Sequence, residues 1–351
     1  MTNDIFIDIK VFKDDIEKKK PCFLIGNGLC RYLCAPDWGR VIWKVMNMAV
    51  KDEKSGMEGV KEYLQDDFQG EAFNHPEIYT SFLIDRKTAK SRDTYKNHLR
   101  DFLIPQTTCA LLKYALSQEA QILTPNFDYS IECALGFPTG KKGTIHFSHV
   151  KGCESTETYP YGEYASKEKR GKLYLERETA GKGDSGHYVT DSCSVWHIHG
   201  SVNHPRSILW GFEDYINAII HLKELQSHSP NAKYRYAEPW EDGFVQKNSW
   251  LRLFFTKPLV IVGCGLNSEE LFLRWLLLRR QRQITIRHDK NPNDAFQLPL
   301  TYYLDTHLEA DKKPKLDKAR LLYFKFLGIK VVRFKNYDEL YDGPQWGTAE
   351  Q

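Results

Sequence analysis

Four short stretches of the chain place groups that can do chemistry directly after an apolar run. Gly26, Asn27 and Gly28 follow CFLI at residues 22–25, and Asn126 and Asp128 follow AQILT at 120–124. His199 and Gly200 follow SVWHI at 194–198, and Gly263, Cys264 and Gly265 follow LVIV at 259–262. Glycine lets a backbone approach a pyrophosphate, and a helix starting just after it attracts the anion. An ordinary Asn-Gly turn is the competing reading of residues 26–28, and the full dinucleotide fingerprint is absent because residue 31 is arginine. An amide such as Asn126 can orient a water or a hydroxyl, and a carboxylate such as Asp128 can accept from an amide. Their competing reading is an Asx turn or a cap for a helix over 129–135.

Period-two alternation puts His197 and His199 on one strand face. With Cys193 or His204 they could form a metal site, but no carboxylate stands at the usual helical spacing, and no metal is expected. His199, ahead of Gly200 at a strand end, reads as a general base or a hydrogen-bonding group. Cys264 has no base beside it in sequence and reads as a packed thiol. Gly263 and Gly265 are equally open to a packing role between strand and helix.

These groups need elements to hold them. Strands are expected at each of the four apolar runs, near 300–304 and at 329–334, with helical segments between them. SEELFLRWLLLRR, from Ser268, has a Ser cap, acids in its first turn and arginines at its end, as a helix should. Alternating strands and helices predict an α/β fold, a Rossmann-like parallel sheet with helices on both faces. Ligands of such sheets bind beyond the carboxyl ends of the strands, so the four polar clusters should converge on one crevice. Residues 35–118 read as a mainly helical insertion, and 138–190 as a polar, irregular insertion or lid. The whole of 1–351 reads as one α/β domain carrying these two insertions.

Composition narrows the class. With 41% apolar and 13% aromatic residues, the chain can bury a real core. A net charge of +3, from 49 basic and 46 acidic residues, argues against direct nucleic-acid binding through a broad basic face. The longest apolar stretch, PLVIVGCGL at 258–266, is far short of the about 20 residues that cross a membrane. The N-terminus MTNDIFIDIKVFKDD lacks the basic-then-apolar pattern of a secretory signal, so a cytoplasmic location without membrane attachment is expected. In that setting the eight cysteines, with no Cys-x-x-Cys pair, read mostly as buried free thiols.

Taken in order, IGNGL from Ile25, TPNFD from Thr124, IHGS from Ile198 and GCGLNSEELFLRWL from Gly263 resemble the sirtuin-like (silent information regulator type) family. FLGIKVVRFKNYDEL near the end is similar to the last strand and helix of that fold. The chain lacks the four-cysteine zinc module of the deacylases, has Asn27 where they usually have alanine, and lacks their proline-aspartate-phenylalanine-arginine loop. The remaining pattern resembles the bacterial sirtuin-like effectors of anti-phage defence, which hydrolyse NAD.

That resemblance implies NAD as substrate, cleaved to nicotinamide and ADP-ribose without a metal. It implies that Gly26, Asn27, Gly28, Gly263 and Gly265 hold the pyrophosphate and adenosine, and that Asp128 holds the carboxamide. Asn126 would place water at the anomeric carbon, and His199 would hydrogen-bond or deprotonate that water or the ribose. NAD depletion is toxic, so the expectation includes restraint by a separate activating or inhibiting sensor protein, or by homo-oligomer assembly. The alternatives are a non-catalytic NAD- or ADP-ribose-binding regulatory subunit of a defence complex, and a metal-dependent hydrolase built on His197 and His199.

Overall fold

Short apolar runs, too brief for helices and rich in Val, Ile and Leu, become the strands. CFLI, QILT and LVIV form β2 (Cys22–Ile25), β3 (Gln121–Thr124) and β6 (Leu259–Val262). CSVWH, TYYLDT and IKVVRF form β5 (Cys193–His197), β7 (Thr301–Thr306) and β8 (Ile329–Phe334). Two further strands are β1 (Phe6–Ile7) and β4 (Cys153–Glu157). The computed structural model describes residues 5–33, 108–118, 120–128, 130–135, 153–157, 193–200, 208–209, 212–227, 250–266, 270–290, 299–306 and 318–347.

The eight strands form one sheet in the order β1-β8-β7-β6-β2-β3-β5-β4. Every pairing is parallel, so the expected Rossmann-like α/β architecture is present. From β2 the chain builds one half of the sheet through β3, β4 and β5, then crosses to β6 on the other side of β2. The boundary between β2 and β6 is therefore the switch point, where open parallel sheets leave a crevice for ligands.

Successive side chains point to opposite faces of a strand, and here both faces are covered. Phe23 and Ile25 of β2, with Val260 and Val262 of β6, join one core. Residues from α1 (Ile9–Lys19), α2 (Asn27–Tyr32), α3 (Ala110–Ser117), α4 (Ser130–Ala134) and α9 (Tyr337–Asp342) complete it. Cys22, Leu24, Leu259 and Ile261 face a second core made with α5 (Phe212–Ser227), α6 (Trp250–Thr256), α7 (Leu271–Lys290) and α8 (Lys318–Phe326).

The six expected strands all form. β1 and β4 were not expected. β4 lies inside 138–190, and its sequence CESTE carries no apolar signal. It exists as a strand because its five residues pair with β5, from Cys153↔Cys193 to Glu157↔His197. The rest of 138–190 lies outside the described residues, as does 35–107 of the expected helical insertion, whose last part holds α3. The helix expected from Ser268 is α7; it continues past the arginines to Lys290, while Ser268 lies outside the described residues. Cys22, Cys30, Cys109 and Cys264 are buried free thiols. No described helix is long and apolar enough to cross a membrane.

One buried charge ties the edges of the second core together. Arg280 of α7 donates from Nε to Thr301 Oγ1 (2.9 Å) and from Nη1 to the Phe254 carbonyl. Its Nη2 reaches the carbonyls of Lys257 (2.7 Å), Pro299 (2.9 Å) and Leu300 (3.2 Å). These acceptors lie at the end of α6, just before β6 and at the start of β7. Burial lowers the guanidinium pKa to about 9, which leaves it charged at neutral pH. Removing it strands several buried carbonyls. Arg280→Met should therefore destabilise the fold by roughly 3 kcal/mol, read as a lower urea midpoint at unchanged slope.

Candidate functional site

Strand register brings the four loops level. Ile25 pairs with Val262, so Gly26 and Gly263 leave the sheet side by side. Thr124 pairs with His197, and the Ile198 amide donates to the Thr124 carbonyl (2.9 Å), so Asn126 and His199 leave at the same height.

The two glycine loops pack directly on each other. The Gly26 amide donates to the Val262 carbonyl (2.9 Å), and the Gly28 amide donates to the Gly263 carbonyl (2.8 Å). A Cβ on Gly28 would lie 2.7 Å from the Gly263 Cα, and one on Gly26 would lie 2.6 Å from the Cys264 Sγ. Gly263 has φ +66, and its own Cβ would lie 2.7 Å from the Leu29 amide nitrogen. Gly26, Gly28 and Gly263 thus meet a packing demand, whatever else they do. The Gly26 and Gly28 amides are already spent inside the protein. Asn27 begins α2 and is half-buried, and Gly265 is exposed. The Cys264 thiol sits 3.8 Å from the Leu24 carbonyl, and burial together with nearby Glu270 pushes its pKa well up, so it is a packed thiol.

Asn126 is buried and held from several directions. Its amide nitrogen donates to Thr124 Oγ1 (3.1 Å), and its Nδ2 donates to the Cys30 Sγ (3.0 Å). Its Oδ1 is buried with no hydrogen-bond partner among the described residues. Asp128 accepts from the Ser130 amide at Oδ1 (2.8 Å), which is the Asx-type arrangement at the start of α4. Burial of the carboxyl raises its pKa.

The two histidines part company. β5 ends at His197, and residues 198 and 199 form a turn leading to Gly200, whose φ is +85. The turn breaks the period-two alternation, so the expectation that both imidazoles share a strand face does not hold. His197 points to the α2 and α4 side: its Nδ1 donates to the Asn126 carbonyl (2.8 Å), and its Nε2 is 2.5 Å from Glu132 Oε1. Burial opposes the charge on His197, but Glu132 outweighs it and the pKa is raised. His199 points to the other layer, its ring centroid 5.4 Å from Tyr215 and 5.7 Å from Phe272. Its Nε2 is buried with no partner among the described residues.

No family model matches the chain, and no curated protein matches it. The chemistry of the site must be argued from its own atoms.

Asn126 Oδ1 and His199 Nε2 are buried without a partner among the described residues, on loops from adjacent strands. Burial without a partner lowers the His199 pKa to about 3, so its ring is neutral at pH 7. A neutral imidazole with so low a pKa is a weak base and a good hydrogen-bonding group. Among the described residues no three His, Cys, Asp or Glu side chains come together as a metal site. The side chain of Cys193 and all of His204 lie outside those residues. Sequence reasoning missed Glu132 and Cys30. The signal for Glu132 was a lone carboxylate in the apolar stretch SIECAL, where nothing but a buried partner would hold it.

Two outcomes follow. Gly263→Ala combines positive φ with a backbone clash, so it should cost about 2 kcal/mol or more and lower Tm in a thermal melt. For His199 the unfolded ring titrates near 6.5 and the folded ring near 3. The unfolded chain therefore binds the extra proton in that window, and stability falls as pH drops through it. His199→Phe should flatten this part of the acid limb in urea unfolding measured from pH 7 to 3.

Proposed function

We propose that the protein is a sirtuin-like NAD glycohydrolase that releases nicotinamide and ADP-ribose, acting as a toxic effector that depletes NAD in bacterial anti-phage defence. One observation carries the reading: Asn126 Oδ1 and His199 Nε2, both buried and unpartnered among the described residues, stand at the carboxyl ends of β3 and β5 beside the switch point. Leaving a buried polar atom unsatisfied costs about 1–3 kcal/mol, a cost that a bound polar substrate would relieve. The defence setting rests on the sequence resemblance alone.

The residues suit the chemistry in kind. Nicotinamide leaves a pyridinium as a neutral molecule, so no general acid is required. The site has to stabilise an oxocarbenium-like ribosyl cation and to hold a water in line with it. Asn126 Oδ1 is an acceptor suited to orienting that water. The neutral His199 ring suits hydrogen bonding to a ribose hydroxyl or to the water better than outright proton abstraction. Asp128 keeps further acceptor capacity beside its bond to Ser130, enough for a carboxamide. Any contact of the pyrophosphate with the glycine loops must use groups other than the Gly26 and Gly28 amides, which are engaged. NAD depletion needs restraint, and a separate sensor protein or assembly of the chain with itself is the proposed means.

The second reading is a subunit that holds NAD or ADP-ribose without turnover, since the same two unpartnered atoms would serve binding alone. Purified protein incubated with NAD separates the two, with nicotinamide followed by chromatography. Wild type should release nicotinamide. Asn126→Ala and His199→Ala should each cut the rate about 10²-fold or more. NAD binding by calorimetry with no release, together with no loss of cellular NAD on expression, would replace the enzyme by the binding subunit.

A further inference from the structure

The Asn126 main chain is held from below by a buried pair that the proposed chemistry does not use. Glu132 lies on α4 and His197 ends β5, and both side chains are fully buried. The Asn126 carbonyl oxygen can only accept, so the His197 Nδ1 facing it at 2.8 Å carries a proton. The 2.5 Å contact between His197 Nε2 and Glu132 Oε1 needs one more proton between them. Glu132 thereby sets the ring's tautomer and its rotation, as a second partner does for any histidine with a task. Among the described residues, Cys30 and Asp128 are titratable groups near the pair.

We infer that Glu132 and His197 are positioning residues: the pair locks the Asn126 carbonyl, and so holds the Asn126 side chain where it can meet the substrate. The inference rests on the proposed hydrolase reading for its catalytic consequence. The pair's main effect is on position, with a stability cost limited to the one carbonyl left unbonded. A buried ion pair is weak evidence for stability, because apolar replacements of similar volume are often neutral or better. Asn126 keeps its bonds to Thr124 and Cys30 without the pair, but those fix its amide nitrogen and its side-chain nitrogen. The carbonyl side of the peptide is then free to swing. A shift of an ångström there is enough to misplace a reacting water.

The test compares wild type, the apolar double variant E132L/H197F and the conservative E132Q. Three quantities are read: Tm, backbone hydrogen exchange over residues 124–132, and kcat and KM for nicotinamide release. The double variant should fold and melt within about 10 °C of wild type. Its exchange over 124–132 should quicken about tenfold or more. Its kcat should fall about 100-fold with KM within about twofold. E132Q should recover wild-type exchange and most of kcat, because its amide donates to a neutral Nε2 and leaves Nδ1–H on Asn126. If the double variant does not fold, H197N, too short to bridge both partners, takes its place with the same expected exchange and kcat. Wild-type exchange in the disrupting variant overturns the inference, and so does an E132Q that behaves like it. If exchange responds as expected but wild type neither releases nicotinamide nor lowers cellular NAD on expression, the positioning stands and the hydrolase reading falls.

Discussion

The loops after β2 and β6 touch backbone to backbone. Gly28 donates to the Gly263 carbonyl, and a single added Cβ at Gly26, Gly28 or Gly263 would overlap its neighbour. That approach keeps the loops that follow two paired central strands, from distant parts of the chain, in direct contact. Glycine is needed for its absence of bulk at all three positions, and at Gly263 for its positive φ as well. The amides consumed in making it are unavailable to a ligand, so the glycines serve the site first as architecture.

Polar groups inside the fold fall into two kinds. Arg280 is saturated: its donors meet Thr301 and a ring of main-chain carbonyls, and it joins α7 to the approaches of β6 and β7. The cluster at the strand ends is different. Glu132, His197 and the Asn126 carbonyl are bonded to one another, while Asn126 Oδ1 and His199 Nε2 are left over among the described residues. Gln283, Thr306 and Tyr341 also carry buried atoms without a partner among the described residues, so it is the position of Asn126 and His199, not their being unpartnered, that sets them apart. Their placement at the carboxyl edge of a parallel sheet agrees with where such sheets bind ligands.

The two faces of the sheet divide the site between them. His197 belongs with the α2 and α4 layer, and His199 with Tyr215 and Phe272 of the α5 and α7 layer. The turn at residues 198–199 sends neighbouring imidazoles into opposite environments. One ring gains a carboxylate and is drawn toward the charged state; the other gains aromatic walls and is held neutral. Two histidines two residues apart therefore have opposite electrostatics, from packing alone.

Much of the scaffold was legible in the chain. The runs at 22–25, 121–124 and 259–262 determined central strands, because a strand buried on both faces is apolar at nearly every position. The polar residues that follow them determined where a site would lie, since only strand ends meet a crevice. The sequence did not determine β4, whose CESTE has no signal of its own and becomes a strand only by pairing with β5. The Asx turn read for Asp128 forms with Ser130, but the sequence did not determine that His197 would take Glu132 as a partner or that Gly28 would spend its amide on Gly263. Strand identity is local, set by a few consecutive side chains. Which polar group remains free is mostly not local, because it depends on atoms brought within about 3 Å from elements as far apart in sequence as Glu132 and His197, or Gly28 and Gly263.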